Sequence, residues 1–340
     1  MKTINNVDIV YGASWGDEGK GKITHFLASK PNYYNFVCRW NGGSNAGHTI
    51  YHNGTKFATH IVPSGIFYGI KSIIGPNCVV NLNSFYKEIS DLAAGGLDTS
   101  LVKVHPLAHI VTDEHIEEDK STLGYLGTTS QGIAPAYRDK AARKGLLAKD
   151  SALDSSHLLD EELHGNILCE GAQGYHLDIN YGNYPFVTSS ECLPYGACSL
   201  GFPPQKIKNV FACAKIYDTR SGTDPLFPES LLEDTTLMKL GDLGKEYGTT
   251  TGRRRKVNWL NLDKLIEAMK VGGATHLVIN KCDIIRQVGI YKLFHEGKLI
   301  EFKTFSELQD FIDFVCYNSC DLLENIFFSS NPETIEGFDI

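Results

Sequence analysis

Two spacing patterns of apolar residues alternate along this chain. Runs such as "VDIVYG" at 7–12 are almost continuously apolar and end in glycine. Such runs suit strands covered on both faces. Between them, apolar residues recur every three or four positions, the period of a helix with one buried face. The pattern predicts strands at "NFVCRW", "SIIG", "KVHPLAHIV", "GNILCEGAQG", "KNVFACAKIYDTRSG", "THLVINKCD" and "NIFFSS". It predicts a hairpin at "TIYHNGTKFATHIV", with Asn53-Gly54 as its turn. Helices are expected at 20–29, at "WLNLDKLIEAMKVGG" with its glycine stop, and at 304–317. Strands alternating with helices predict an α/β fold with a mostly parallel central sheet flanked by helices. No repeat or linker-like tract divides the chain, so one large domain over 1–340 is expected.

Composition narrows the class. Apolar residues are 42% of 340, enough for a sizeable core. The net charge of −8 argues against binding to a nucleic-acid backbone. Nine scattered cysteines, with no Cys-x-x-Cys pair, read as reduced thiols. The N-terminus runs straight into a strand pattern, and no apolar run has transmembrane length. A cytoplasmic protein, with no membrane partner, is expected.

Several loops carry chemistry. "GDEGKGK" at 16–22 follows a strand and opens a helix, so free amides and Gly16, Gly19 and Gly21 suit a phosphate, with Lys20 and Lys22 adding charge. The Ser/Thr that ends an ordinary P-loop is missing, so Asp17 can serve as an oxygen ligand or as a base. "NKCD" at 280–283 suits guanine: Asp283 accepts from N1 and the 2-amino group, and the Lys281 stem packs on the base. No Asp-x-x-Gly switch motif accompanies it, which favours an enzyme that consumes GTP over a switch protein. His48 in "NGGSNAGHT" can donate to an oxyanion. "GTTTGRRRKV" at 248–257 suits carboxylates or phosphates.

These motifs, with Gly-Thr-Thr, Glu-Gly-Ala-Gln-Gly and Tyr-Pro-Phe-Val-Thr-Ser-Ser in their order, resemble those of the adenylosuccinate synthetase family. The resemblance implies a GTP- and Mg²⁺-dependent ligase joining L-aspartate to C6 of a 6-oxopurine nucleoside monophosphate. It implies that Asp17 takes the N1 proton, that the 6-oxyanion attacks the γ-phosphate, and that His48 stabilises the transferring group. Lys20 is placed with these two. Gly16, Gly19, Lys20, Gly21 and Lys22 would line the GTP phosphates. Lys281 and Asp283 would hold guanine, with Ser329 and Pro332 of the 329–332 turn. Asp17 and the Gly47 backbone would bind Mg²⁺. The acceptor would meet Asn45, Thr128, Thr129, Gln173, Thr188, Ser221 and Arg253. Arg143 would join them from the second subunit of a homodimer. Thr250, Thr251, Arg253 and Arg255 would grip aspartate.

The departures from the family concern the acceptor. The chain is shorter than ordinary bacterial or animal members, the gap falling after residue 148, and in length resembles archaeal and phage relatives. The usual Thr-Arg-Val-Gly-Ala-Gly-Pro-Phe-Pro is "TRSGTDPLFP" at 219–228, with Ser221 for Val and one extra residue. These features resemble phage enzymes that use dGMP on the way to diaminopurine DNA, which would work in the host cytoplasm. Asp17 and Asp283, altered in the best-known of those, are retained. The resemblance therefore leans to dGMP over IMP. A GTP-binding regulatory module without catalysis is the alternative of another class, and intact Asp17 and His48 speak against it.

Overall fold

The computed structural model describes residues 3–122, 124, 127–248 and 252–338. Thr250 and Thr251 lie outside them. Strands in chain order begin with β1 (Ile4–Gly12), β2 (Phe36–Arg39), β3 (His48–His52), β4 (Thr55–Thr59) and β5 (Lys71–Ile74). Then come β6 (Val79–Val80), β7 (Val102–Val104), β8 (His109–Ile110), β9 (Gly165–Glu170), β10 (Ile207–Lys215) and β11 (Tyr217–Arg220). The last are β12 (Lys256–Asn261), β13 (His276–Asn280), β14 (Tyr291–His295), β15 (Lys298–Phe302) and β16 (Asn325–Phe328). Eight of them form one sheet in the order β16-β13-β10-β1-β9-β2-β5-β7. Every neighbouring pair in it is parallel. The molecule is thus a single α/β domain around a parallel sheet, as the spacing predicts.

The helices are α1 (Lys20–Ala28), α2 (Leu82–Ala94), α3 (Asp113–Thr122), α4 (Ile133–Ala141), α5 (Thr235–Leu243), α6 (Leu262–Gly272), α7 (Cys282–Val288) and α8 (Phe305–Ser319). They cover both faces of the sheet. Val10, Val37, Leu168, Phe211 and Val278 pack on Ile23 and Leu27 of α1. Alternate residues Ile9, Cys38, Cys169, Ala212 and Ile279 face the opposite core, with Leu265 and Met269 of α6 and Leu308 and Ile312 of α8. This two-sided burial is why the strands read as continuous apolar runs.

Several boundaries differ from expectation. The run "KNVFACAKIYDTRSG" is two strands, broken at Ile216, with β11 pairing antiparallel to β12 in a second sheet. "KVHPLAHIV" is also two, since Pro106 supplies no N–H to a ladder. In "WLNLDKLIEAMKVGG" the first three residues belong to β12; Asn261 Oδ1 accepts from Lys264 N at 3.1 Å and caps α6. Gly273, at φ 65°, ends it as expected. The Asn53-Gly54 hairpin joins β3 to β4. All nine cysteines are free, and Cys198 is the one not fully buried. Among the described residues no helix is long and apolar enough to cross a membrane.

Candidate active site at the carboxyl edge of the sheet

Parallel strands deliver their following loops to one edge, where α/β folds bind ligands. Here β1 leads to the 13–19 loop, β2 to Asn41–His48, β9 to Gly171–Gly174, β13 to Lys281–Asp283 and β16 to Ser329. The sequence-predicted phosphate, acceptor and guanine segments are therefore brought together, although 312 positions separate Asp17 from Ser329.

The 13–19 loop is built around a carboxylate that the sequence reading did not single out. Glu18 is fully buried. Its Oε1 accepts from Gly16 N at 2.8 Å and Ser14 N at 3.2 Å, and its Oε2 pairs with Lys20 Nζ at 2.7 Å. A Cβ on Gly12 or Gly174 would stand 2.5 Å from a Glu18 oxygen, so glycine is required at both. Glu18 thus braces the loop and holds Lys20 at the first position of α1. The neighbouring Asp17 turns the other way, with φ 62° and its side chain one-third exposed. Gly16 and Gly19 also take positive φ, as a tight anion-binding loop needs.

Lys22 is placed differently from Lys20. Its Nζ donates to Asn280 Oδ1 at 3.0 Å, to Asn331 O at 2.6 Å and to Ser329 Oγ. Asn280 Nδ2 in turn donates to Glu18 O at 2.8 Å. Lys22 therefore ties the phosphate loop to the guanine segment and is not free to reach phosphates. Burial lowers its pKa to about 8. Lys281 has φ 67°, and its Nζ donates to Gly244 O at 2.9 Å. Asp283 is half-buried in the first turn of α7, Cys282 N donates to Ser329 O at 3.1 Å, and Pro332 is exposed.

His48 opens β3 against α1, where Gly21 permits the approach: a Cβ there would lie 2.7 Å from His48 Cβ. His48 Nδ1 donates to Glu170 Oε1, and Glu170 Oε2 accepts from Ser64 N at 2.9 Å and Ser64 Oγ at 3.0 Å. Burial pushes the Glu170 carboxyl up, but His48 and Arg39 outweigh it and hold it at about 2. Glu170 fixes the ring so that Nε2 is the nitrogen left for a ligand. Sequence reasoning treated Glu170 as a strand residue; its carboxylate at the end of an apolar strand was the available signal.

On the far side, Arg255 Nε lies 2.8 Å from Asp17 Oδ2, and Arg255 Nη1 2.7 Å from Glu246 Oε2. Glu246 also takes Lys215 Nζ at 3.1 Å and Tyr217 OH at 2.9 Å. This buried cluster aims Arg255 at Asp17. Arg253 is exposed in the same loop.

The acceptor segments converge too. Gln173, at φ 56°, is half-buried, and its Oε1 is buried without a partner among the described residues. Asn45 Oδ1 accepts from Gly43 N at 3.1 Å, and half-buried Gly47 directly precedes His48. Thr128 Oγ1 donates to Asp119 at 2.9 Å, whereas Thr129 is half-buried beside it. Thr188 N donates to Leu177 O at 2.7 Å. In "TRSGTDPLFP" the buried Asp224 pins the loop. Its Oδ1 accepts from Asn183 Nδ2 at 2.9 Å, and its Oδ2 is 3.4 Å from Arg220 Nε. Arg220 Nη1 donates to Ser221 O at 2.6 Å. Arg143 stands apart, exposed after α4 at φ 62° and with no ion pair to a described residue.

Known proteins share this fold and family pattern. A family model described as adenylosuccinate synthetase matches residues 9–157 and 147–298. The adenylosuccinate synthetase of Geobacillus sp. (strain WCH70) is 35% identical over 355 residues, covering 86% of this chain and 82% of its own. That of Brevibacillus brevis is 36% identical with the same coverage. The fully ligated adenylosuccinate synthetase from Plasmodium falciparum superposes with TM-score 0.81 at 26% identity, over 96% of this chain and 98% of that one. The cyanophage S-2L succinoaminodeoxyadenylate synthetase (PurZ), bound to dGMP and to dATP as an energy donor, shares the fold with TM-score 0.74 at 21% identity, over 97% and 94%. The chain belongs to the adenylosuccinate synthetase family of GTP-dependent, aspartate-using ligases.

Proposed function

We propose that the acceptor is dGMP, and that Asp17 and His48 carry the chemistry. Asp17 takes the N1 proton, and the 6-oxygen then attacks the γ-phosphorus of GTP, releasing GDP. The amine of L-aspartate displaces inorganic phosphate from C6, forming the new C–N bond. The observation that carries this reading is the meeting of Asp17, His48 Nε2 and the unpartnered Gln173 Oε1 at one edge of the sheet, beside the Lys281–Asp283 segment. With Asp17 on N1, Gln173 Oε1 is an acceptor suited to the guanine 2-amino group, which IMP lacks. Ser221 and the Asp224-pinned loop alter the ribose side. The cyanophage neighbour binds dGMP, in keeping with this reading. IMP is the second reading, favoured by the 35–36% identity to enzymes named adenylosuccinate synthetase.

Lys20 and the amides of Gly19 and Gly21 would hold GTP phosphates, with Gly16, whose amide is given to Glu18, lining them by close backbone approach. Arg255 and Arg253, with Thr250 and Thr251, would hold aspartate. Arg143, exposed and unpaired among the described residues, would complete the acceptor site of a second copy in a homodimer. Mg²⁺ fits the donors: the partly exposed Asp17 carboxylate and the Gly47 carbonyl are hard oxygen ligands. No cluster of three His, Cys, Asp or Glu exists among the described residues, so water and phosphate oxygens would supply the remaining ligands. The ion would offset charge on the transferring phosphoryl group.

Two measurements test this. Given GTP, Mg²⁺, aspartate and IMP, GMP or dGMP in turn, the protein is expected to release GDP fastest with dGMP. A higher kcat/KM with IMP reverses the acceptor assignment, and no GDP with any of the three leaves the inert-module reading standing. Separately, Asp283→Asn is expected to raise the KM for GTP about 100-fold, the cost of two charge-assisted hydrogen bonds, with kcat little changed. XTP, whose 2-oxo group accepts from an amide, should recover part of that loss. An unchanged GTP KM would remove Asp283 from guanine recognition.

A further inference from the structure

The β3–β4 ladder stops one step short of Ala46. Counting back from the two-residue turn at Asn53-Gly54, its hydrogen-bonded pairs are His52–Thr55, Ile50–Phe57 and His48–Thr59. A further step would pair Ala46 with Ile61 and give the Ala46 carbonyl the Ile61 N–H. That N–H is taken elsewhere. Glu88, buried on α2, accepts from His60 N at 2.8 Å, from Ile61 N at 3.0 Å and from Val62 N at 3.1 Å. The His60 ring supplies the missing donor: its Nδ1 lies 2.8 Å from Ala46 O. A carbonyl oxygen only accepts, so Nδ1 carries the proton in this contact.

The contact lies one peptide before the Gly47 carbonyl. Glycine has the widest backbone freedom, so its carbonyl keeps one direction only if the peptides on both sides are held. The peptide after Gly47 is held by the His48–Thr59 pair. Because a trans peptide points its C=O opposite to its N–H, the Gly47 carbonyl then faces away from β4, free for a ligand. The peptide before Gly47 is held by His60. The one other bond at Ala46, from its N to Gly43 O, is long at 3.4 Å. We infer that His60 is a positioning residue for the metal ligand Gly47: with its own backbone fixed by Glu88, its ring holds the Ala46 carbonyl and so aims the Gly47 carbonyl before an ion arrives. The inference rests on the reading that makes Gly47 a Mg²⁺ ligand. It involves no ionisation of His60, since the neutral ring with hydrogen on Nδ1 is sufficient. Groups that orient a metal's ligands typically contribute about 10- to 100-fold in affinity.

The test is calorimetric binding of a non-hydrolysable GTP analogue, with saturating Mn²⁺ and again with no divalent ion. The ratio of the two affinities is the contribution of the ion. Mn²⁺ stands in for Mg²⁺ because it takes the same hard oxygen ligands. His60→Leu keeps bulk but offers no donor. It is expected to lower the ratio by about 10-fold or more, with the metal-free affinity within about twofold of the parent. His60→Asn, whose Nδ2 can take the place of Nδ1, is expected to restore most of the loss. An unchanged ratio in His60→Leu overturns the inference. So does an equal loss in His60→Asn, which would mark a packing effect. A parallel fall of both affinities overturns it too, since that would mark a general disturbance of the loop. If His60→Leu does not fold, His60→Ala is scored in the same way. A parent that gains nothing from Mn²⁺ overturns the inference together with the metal reading of Gly47. A parent gain that survives His60→Leu refutes the inference and leaves that reading standing.

Discussion

Asp17→Asn is expected to lower aspartate-dependent GDP formation by about 10³- to 10⁴-fold while GTP affinity measured without Mg²⁺ changes by less than about threefold. The substitution keeps size and shape but removes the basic oxygen that takes the N1 proton. Asparagine also tolerates the left-handed backbone at this position, φ 62°, so the loop geometry should survive. The Glu18 brace, which holds the Gly16 amide and Lys20, does not involve the Asp17 side chain. The interaction that is weakened is with Arg255 Nε, 2.8 Å from Oδ2. Arg255 stays anchored by Glu246, so a local collapse is not expected. Steady-state GDP release measures the first quantity and equilibrium binding of a fluorescent GTP analogue the second. Full turnover by Asp17→Asn would refute Asp17 as the base. Equal losses in turnover and GTP binding would make it a phosphate-loop residue instead.

The sheet was legible because burial on both faces writes itself as uninterrupted apolar runs, as in β1, β9 and β13. The breaks inside those runs were not legible. Ile216 sits where one chain segment leaves one sheet for another, and its own apolar character gives no sign of the change. The phosphate and guanine segments were visible because their chemistry is local: glycines, lysines and an Asn-Lys-x-Asp sequence lie within a few residues of one another. What joins them was not. Lys22 looks like a phosphate ligand until β16 brings Ser329 and Asn331 to its ammonium. Glu18 reads as half of an acidic pair until its burial between Gly12 and Gly174 makes it the frame of the loop. Glu170 is a single charged residue in an apolar stretch, and Glu246 reads as one charge of a polar loop beside Lys245. Their partners lie far away in the chain, so only the fold gives them meaning.

The costliest single substitution outside the reacting groups should be Glu246→Gln. One carboxylate here answers two buried cations, Lys215 Nζ at 3.1 Å and Arg255 Nη1 at 2.7 Å, and accepts from Tyr217 OH. Glutamine keeps the volume but leaves buried Lys215 without its ion-pair partner and Arg255 with Asp17 alone, for which about 3 to 5 kcal/mol of destabilisation is expected. The urea midpoint of the Gln variant should fall accordingly, and Lys215→Met added to it should restore part of the loss. A midpoint equal to the parent would mean that the cations find other partners. The pH dependence gives an independent reading of the same cluster. Burial pushes the Glu246 carboxyl up, but Lys215, Arg255 and Lys281 outweigh it and hold it at about 2, against an ordinary value of 4.5. A folded-state pKa below the unfolded one contributes stability that is complete above pH 4.5 and is lost as the pH falls from there towards 2. The size of that contribution is about 3 kcal/mol. The parent should therefore lose stability on acidification through this window faster than Glu246→Gln, and the two stability curves should converge near pH 2. Curves that stay parallel down to that pH would show that Glu246 carries no differential charge in the fold. The same substitution should also raise the KM for aspartate, because the guanidinium that Glu246 aims at Asp17 would lose its anchor.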